Sequence, residues 1–120
     1  MAKRVLIVDD SAFMRSVVKD VLTGAGYDVA GEASNGEEAL QRYPQLKPDL
    51  VTMDIVMLGD GGLQAVKRLI HHDPKAKILM VSAMGQQALV VDAIRAGATG
   101  FVVKPFKPEQ LLAEITRILN

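Results

Sequence analysis

The sequence contains no cysteine, which excludes disulfide bonds, thiolate metal ligands and a cysteine nucleophile. Tryptophan is also absent and aromatic residues make up only 4% of the chain, so surfaces that could stack on bases or flat cofactors are scarce. Basic and acidic residues balance at 14 each, which favours neither nucleic acid nor an anionic membrane as a partner. These absences suit a protein of a reducing compartment, and we expect a cytoplasmic one.

Long apolar runs are missing as well. No segment approaches the roughly 20 apolar residues that span a bilayer. The first apolar run follows Lys3 and Arg4 and ends at Asp9 after a few residues, so it predicts a strand and not a signal peptide. A chain of 120 residues fits one domain, and we expect residues 1–120 to form it, acting as a monomer.

Short apolar runs alternate with segments of helical periodicity. The runs are continuous, as in strands buried on both faces: Arg4–Val8, Val29–Ala33, Leu50–Met53, Ile78–Val81 and Phe101–Val103. The segments between them carry apolar stripes at helical spacing. We expect these helices to run from Ser11 to Gly24 or Gly26, Asn35 to Tyr43 before Pro44, Gly62 to His72, Gln86 to Ala96, and from Pro108 onward.

This alternation predicts an α/β fold, a doubly wound parallel sheet with helices on both faces. In such sheets the functional crevice lies at the carboxyl ends of the strands. The polar residues that follow the predicted strands there are three acids, a hydroxyl and an ammonium group: Asp9, Asp10, Asp54, Ser82 and Lys104.

Three neighbouring carboxylates repel one another unless a cation lies among them. Oxygen ligands without histidine or cysteine suit a hard cation, and few protein ligands beside an incoming phosphate suit Mg²⁺ in particular. An aspartate can attack phosphorus and form an acyl phosphate. We therefore expect Asp54 to be the nucleophile and phosphoacceptor, Asp9 and Asp10 to hold Mg²⁺, and Lys104 and Ser82 to bind phosphoryl oxygens.

The chain resembles the response-regulator receiver family over its whole length, and its single-domain chemotaxis members most. The resemblance rests on Val8-Asp9-Asp10, Met53-Asp54, Ser82-Ala83, Lys104-Pro105-Phe106 and the run Val81–Gln87. It implies a flavodoxin-like sheet of five strands in the order 2-1-3-4-5, and Mg²⁺ bound by Asp9, Asp10, Asp54 and the backbone carbonyl of Val56. It also implies a cis Lys104–Pro105 bond, and a switch in which Ser82 moves toward the phosphate while Phe101 turns inward.

The loop after Asp54 departs from the family pattern x-x-Met-Pro-x-Met-Asp/Asn-Gly. Here Leu58, Asp60 and Gly61 replace the proline, the second methionine and the acid or amide. Because Gly59, Gly61 and Gly62 lack side chains, we expect this loop to be more mobile than usual.

The resemblance also implies partners. A histidine kinase, of the chemotaxis type, would donate the phosphoryl group, a phosphatase could remove it, and the target would be a flagellar motor switch protein or another protein. Because the sequence ends at Asn120 without room for an output domain, we expect the surface of α4, β5 and α5, named by their predicted order, to carry the signal. Leu89-Val90-Val91 and Met84 should leave apolar surface there.

Other readings of the same residues stay open. Asp9 and Asp10 could simply cap the first helix and have no role in a metal site, and Phe101 could be an ordinary strand residue. A haloacid-dehalogenase-type phosphatase needs an acid two residues after the nucleophile, where this chain has Val56. A flavodoxin-like cofactor protein needs a phosphate-binding loop where this chain has two acids. A receiver-like interaction module that is never phosphorylated is the remaining alternative. We expect no enzymatic turnover beyond self-phosphorylation and self-dephosphorylation.

Overall fold

The alternating pattern forms five strands and five helices in the computed structural model, which describes residues 2–57, 61–83, 85 and 87–120. The strands are β1 Arg4–Val8, β2 Asp28–Ala33, β3 Leu50–Met53, β4 Ile78–Ser82 and β5 Gly100–Val103. The helices are α1 Ala12–Gly24, α2 Gly36–Leu46, α3 Gly61–His72, α4 Gln87–Ala96 and α5 Pro108–Leu119. The predicted order of elements is confirmed.

The strands form one parallel sheet in the order β2-β1-β3-β4-β5, so the predicted topology is confirmed. Since β1 and β3 are neighbours at the point where the chain changes direction across the sheet, the carboxyl ends of these two strands border the crevice. The register pairs Val8 with Met53, which brings the residues that follow them together.

Two apolar layers enclose the sheet. On one face Val18 and Leu22 of α1 pack with Leu111, Ile115 and Ile118 of α5. On the other face α2, α3 and α4 pack through Ala39, Tyr43, Ala65, Val66, Leu69 and Ala93. The central strands β3 and β4 are buried on both faces, as their largely apolar sequences predicted.

Side-chain caps define the starts of two helices. Ser11 accepts a hydrogen bond from the Met14 N–H at the start of α1, and Asn35 accepts one from the Glu38 N–H at the start of α2. Both caps lie at the carboxyl end of the sheet, so they direct the helix N-termini toward the crevice.

The predicted end of α2 before Pro44 is wrong, because the helix includes Pro44 and ends at Leu46. Pro44 lies in the last turn, where its missing N–H removes a single hydrogen bond near the terminus. Continuation of the helix lets Leu46 pack against the core. Lys47 then caps the helix; its φ of 48° is left-handed and its N–H donates to the Tyr43 carbonyl.

Other expectations fall outside the described residues, in part or in whole. They include the substituted loop at positions 58–60, the apolar surface expected at Met84 and the expected first residue of the fourth helix, Gln86. No helix in the described part of the chain has the length and apolar character needed to cross a membrane.

Candidate functional site

The site is formed where β1, β3 and β5 end. The hydrogen-bond ladder of the sheet continues one residue beyond each strand and fixes the backbone that follows. The Asp9 N–H donates to the Ala33 carbonyl at 3.1 Å and the Asp54 N–H donates to the Val8 carbonyl at 3.1 Å. The Lys104 N–H donates to the Ser82 carbonyl at 2.8 Å. The side chains therefore project from rigid strand ends into one crevice.

Lys104 joins the two buried acids. Its Nζ lies 2.8 Å from Asp9 Oδ2 and 3.3 Å from Asp54 Oδ2. Asp9 is 4% exposed and Asp54 is 8% exposed, so water solvates neither carboxylate well. One ammonium group, at the end of β5, therefore stabilises two buried negative charges, at the ends of β1 and β3.

Asp10 completes an acidic cluster that could hold a metal ion. Asp9, Asp10 and Asp54 each offer a carboxylate oxygen, and these atoms lie within 4.8 Å of one another. Asp10 is exposed while the other two acids are buried, so the cluster has one open side. Three carboxylates with one lysine leave a formal charge of −2, and an all-oxygen donor set with that charge fits a hard divalent cation.

The ionisation of the site reflects its burial. Burial raises the pKa of Asp54 above its ordinary value, and the attraction of Lys104 and the hydrogen bond from the Val56 N–H only partly offset this. Burial alone would lower the pKa of Lys104, but its hydrogen bond to Asp9 and the charge of Asp54 raise it. The lysine is thus held in its charged form, while Asp54 carries a poorly solvated negative charge.

Backbone N–H groups orient the same carboxylates. The Val56 N–H donates to Asp54 Oδ1 at 3.2 Å, and the Ser11 N–H donates to Asp9 Oδ1 at 2.9 Å. Each acid therefore has one oxygen bound to a backbone N–H and the other facing Lys104. Val56 itself is 53% exposed, and its carbonyl as a metal ligand stays a prediction.

The remaining predicted residues lie next to this cluster. Ser82 is fully buried at the end of β4, beside β5. Phe101 is half-buried in β5 and packs against the core below α4. The Lys104–Pro105 peptide bond is cis, as the family resemblance implied. The switching roles of Ser82 and Phe101 stay predictions.

Two features of the site did not follow from the sequence. Arg15 in α1 donates from Nη1 to the Asp9 carbonyl at 2.7 Å, a contact that only the three-dimensional turn between β1 and α1 creates. Phe13, also in α1, is 74% exposed. It borders a groove of about 300 Å³ beside the site, which the apolar residues Met14, Val17, Ala83, Pro105 and Phe106 also line.

Comparison with known proteins agrees with this arrangement. The family model described as "Response regulator receiver domain" matches residues 5–116. The chemotaxis protein CheY of Thermotoga maritima is 56% identical over 118 residues, 98% of each chain, and that of Bacillus subtilis is 51% identical over 120 residues, 100% of each chain. A chain in the crystal structure of the CheX–CheY–BeF3–Mg²⁺ complex from Borrelia burgdorferi superposes with a TM-score of 0.95 at 32% identity, covering 98% of this chain and 90% of that chain.

The sheet order, the strand-end acids with their lysine and the match over residues 5–116 lead to one assignment. The chain belongs to the response-regulator receiver domain family, a family of signalling domains.

Proposed function

We propose that this domain is switched by transfer of a phosphoryl group to Asp54. The observation that carries the proposal is the position of Lys104, whose Nζ contacts both Asp9 and Asp54 at the open end of the sheet. A phosphoryl group on Asp54 would meet this ammonium group directly, and the Ser82 hydroxyl, at the end of the neighbouring strand β4, is proposed to bind a second phosphoryl oxygen.

The chemical step is a displacement at phosphorus. A carboxylate oxygen of Asp54 attacks, an O–P bond forms, and the bond from phosphorus to the donor breaks with its electron pair leaving on the donor nitrogen or oxygen. Asp54 lies where burial disfavours its negative charge, which makes its oxygen a better electron donor than a solvated carboxylate. Lys104 stabilises the charge that the incoming phosphoryl oxygens bring.

The acid cluster fits Mg²⁺ by its donor chemistry. Asp9, Asp10 and Asp54 offer only oxygen atoms, and they exceed the local positive charge by two. We propose that these carboxylates and the Val56 carbonyl hold the ion. When bound, Mg²⁺ neutralises charge on the transferring phosphoryl group. The exposed side at Asp10 leaves room for water and for phosphoryl oxygens.

The relatives suggest the pathway. Two relatives matched over nearly their full length are chemotaxis proteins, and the matched Borrelia structure is a complex of CheX, CheY, BeF3 and Mg²⁺. We propose that residues 1–120 act as one domain that receives its phosphoryl group from a chemotaxis histidine kinase, and that a phosphatase removes it. The flagellar motor switch is the proposed target. The cytoplasmic location expected from the sequence stays a prediction.

Intact-protein mass spectrometry with acetyl phosphate tests the acceptor. The parent protein should gain one phosphoryl group in the presence of Mg²⁺, and Asp54→Asn should gain none. Asp49→Asn is the matched control, since Asp49 precedes the same strand at its other end and should leave the gain unchanged. No gain by the parent, with acetyl phosphate or with the histidine kinase, would leave the interaction-module reading in its place.

We propose that the output surface is formed by α4, β5 and α5. The apolar side chains Val91, Ile94 and Val103 are 38%, 47% and 45% exposed on these elements, as the sequence led us to expect for α4. Val103 directly precedes Lys104, so a change at the lysine can alter this surface. Exposed apolar groups next to the lysine of the proposed phosphorylation site suit a protein target.

Binding to the motor switch protein tests the surface. Ile94→Glu should weaken binding of the phosphorylated domain about tenfold, while leaving phosphorylation by acetyl phosphate intact. Gln41→Glu, on exposed α2, introduces a negative charge away from this surface and should change neither. Equal binding by Ile94→Glu and the parent would mean that the output surface lies elsewhere on the domain.

A further inference from the structure

Arg15 connects the acidic cluster to the edge strand of the sheet. Its Nη1 donates to the Asp9 carbonyl at 2.7 Å, and its Nε donates to Glu32 Oε1 at 3.0 Å. The Arg15 side chain is only 18% exposed, and that of Glu32 is 37% exposed. Glu32 belongs to β2, which is an edge strand in the sheet order, so a single guanidinium spans α1, β2 and the turn after β1.

The carbonyl that Arg15 binds is part of the peptide group between Asp9 and Asp10. A peptide group is planar, so fixing its oxygen also fixes its N–H and the direction in which the next residue leaves it. The next residue is Asp10, the exposed member of the cluster. Among the described residues no group donates a hydrogen bond to the Asp10 carboxylate, so its orientation depends on its backbone.

Strand β2 thus holds this turn at two points. The Ala33 carbonyl accepts from the Asp9 N–H at 3.1 Å, and Glu32 holds the arginine that binds the Asp9 carbonyl. Both peptide groups that flank the Asp9 Cα are therefore tied to the neighbouring strand. Without Arg15, the peptide after Asp9 could rotate and Asp10 would lose its fixed direction.

We propose that Arg15, anchored by Glu32, is a positioning residue that orients the Asp10 carboxylate for Mg²⁺. The proposal rests on the proposed function, because it assigns a role toward the same metal site. Groups that orient metal ligands without contacting the metal typically change affinity about tenfold or more when they are removed.

The charge of Arg15 would act in the opposite direction. A guanidinium near the cluster repels a divalent cation, so a purely electrostatic role predicts tighter Mg²⁺ binding after its removal. Glu32 offsets this charge, since it forms an ion pair with Arg15 at 3.0 Å. The sign of the change in Mg²⁺ affinity therefore separates positioning from electrostatics.

Mg²⁺ titrations of the full chain, followed by backbone amide chemical shifts, test the proposal. Arg15→Met should bind Mg²⁺ about tenfold more weakly than the parent. Glu32→Gln should weaken binding by a smaller factor, and the double variant should match Arg15→Met alone, because Glu32 acts through Arg15. Arg15→Lys keeps the charge but cannot reproduce the two-point fork, so it should also bind more weakly.

Arg42→Met is the matched control. Like Arg15, Arg42 donates to a residue of β2 and to a glutamate side chain. The acceptors are the Glu32 carbonyl and Glu38 Oε2, and no described contact joins Arg42 to Asp9. The Mg²⁺ affinity of the Arg42→Met variant should equal that of the parent. Thermal melting without Mg²⁺ should show Arg15→Met and Arg42→Met to be equally folded.

A second readout distinguishes positioning from general loss of structure. The rate of phosphorylation by acetyl phosphate should fall in Arg15→Met at low Mg²⁺ and recover at saturating Mg²⁺. A parent that binds no Mg²⁺ would overturn the proposed function and this inference with it. If the parent binds Mg²⁺ and Arg15→Met or Arg15→Lys binds it as tightly or more tightly, the positioning role alone is overturned.

Discussion

The two ends of the sheet use polar groups in opposite ways. At the carboxyl end, two buried acids share one lysine and a third acid is exposed. At the amino end, polar side chains form hydrogen bonds that join neighbouring segments of the chain. Asp49 Oδ2 accepts from the Arg4 N–H at 2.8 Å, Thr99 Oγ1 accepts from the Ile78 N–H at 3.1 Å, and the Tyr43 hydroxyl donates to Asp73 at 2.9 Å.

This difference separates stability from function within one small fold. The amino-end bonds satisfy local donors and acceptors, so removing one should destabilise the protein. The carboxyl-end acids oppose folding through their mutual repulsion and desolvation, so removing the charge of Asp54 should stabilise the protein. Three substitutions of polar groups test this contrast, and a fourth tests how tightly the backbone packs at the carboxyl end.

The largest effect is expected from Gly62→Ala at the start of α3. A Cβ at Gly62 would lie 2.0 Å from the Asp54 carbonyl oxygen and 2.7 Å from the Ile55 Cα, so the backbone itself would have to move. We expect a loss of about 3 kcal/mol in unfolding free energy, measured by urea denaturation.

Gly24→Ala provides the control at the opposite end of the sheet. Nothing lies within 4 Å of a Cβ placed at Gly24, the last residue of α1. Alanine there should be neutral or stabilising by up to about 1 kcal/mol. Equal losses from both substitutions would mean that the packing of α3 against Asp54 is no tighter than the end of α1.

Lys104→Met should produce the next largest effect. It leaves the Asp9 and Asp54 carboxylates buried without their shared cation, and we expect a loss of about 2 kcal/mol in Mg²⁺-free buffer. Added Mg²⁺ should recover more stability in this variant than in the parent. The exposed Lys19→Met should show neither the loss nor the recovery, and a neutral Lys104→Met would contradict the charge balance inferred for the site.

Asp54→Asn should change stability in the other direction. Burial raises the pKa of Asp54, so the protonated form is favoured in the folded state and its stabilisation is lost as pH rises through the raised value. Asparagine removes this charge, and we expect a gain of about 1 kcal/mol at pH 7 without Mg²⁺. Thermal melting should show the gain shrinking toward pH 3. A loss of stability at pH 7 would mean that the ion pair with Lys104 outweighs burial.

Much of this architecture could be read from the sequence because it depends on patterns with few solutions. Uninterrupted apolar runs between amphipathic segments lead to a doubly wound sheet, and the residues after each strand then meet at one edge. Asp9, Asp54 and Lys104 could be placed together for that reason alone. The strand order came from the family resemblance, since several orders satisfy the same alternation.

The features that the sequence did not reveal depend on tertiary contacts. Proline usually ends a helix, yet burial of Leu46 outweighs the single hydrogen bond lost at Pro44. The sequence gives no sign that Arg15 has a specific partner, because its contact with the Asp9 carbonyl depends on the turn after β1. The exposure of Phe13 depends on where the β5–α5 connection leaves α1 uncovered.

Tyr43→Phe tests the amino end with the smallest expected effect. The Tyr43 hydroxyl ties α2 to Asp73 after α3, and its removal should lower the unfolding free energy by about 1 kcal/mol at pH 7. The hydrogen bonds from this hydroxyl and from the Lys75 N–H hold the pKa of Asp73 below its ordinary value. Their stabilisation is therefore present above that ordinary value and lost as pH falls through the lowered one. Thermal melting of both proteins should show a difference that is constant near neutrality and shrinks toward pH 2.

Tyr27→Phe, whose hydroxyl has no partner among the described residues, should show no such pH dependence. A difference that persists at pH 2 would mean that the Tyr43 hydroxyl stabilises the protein independently of the charge on Asp73.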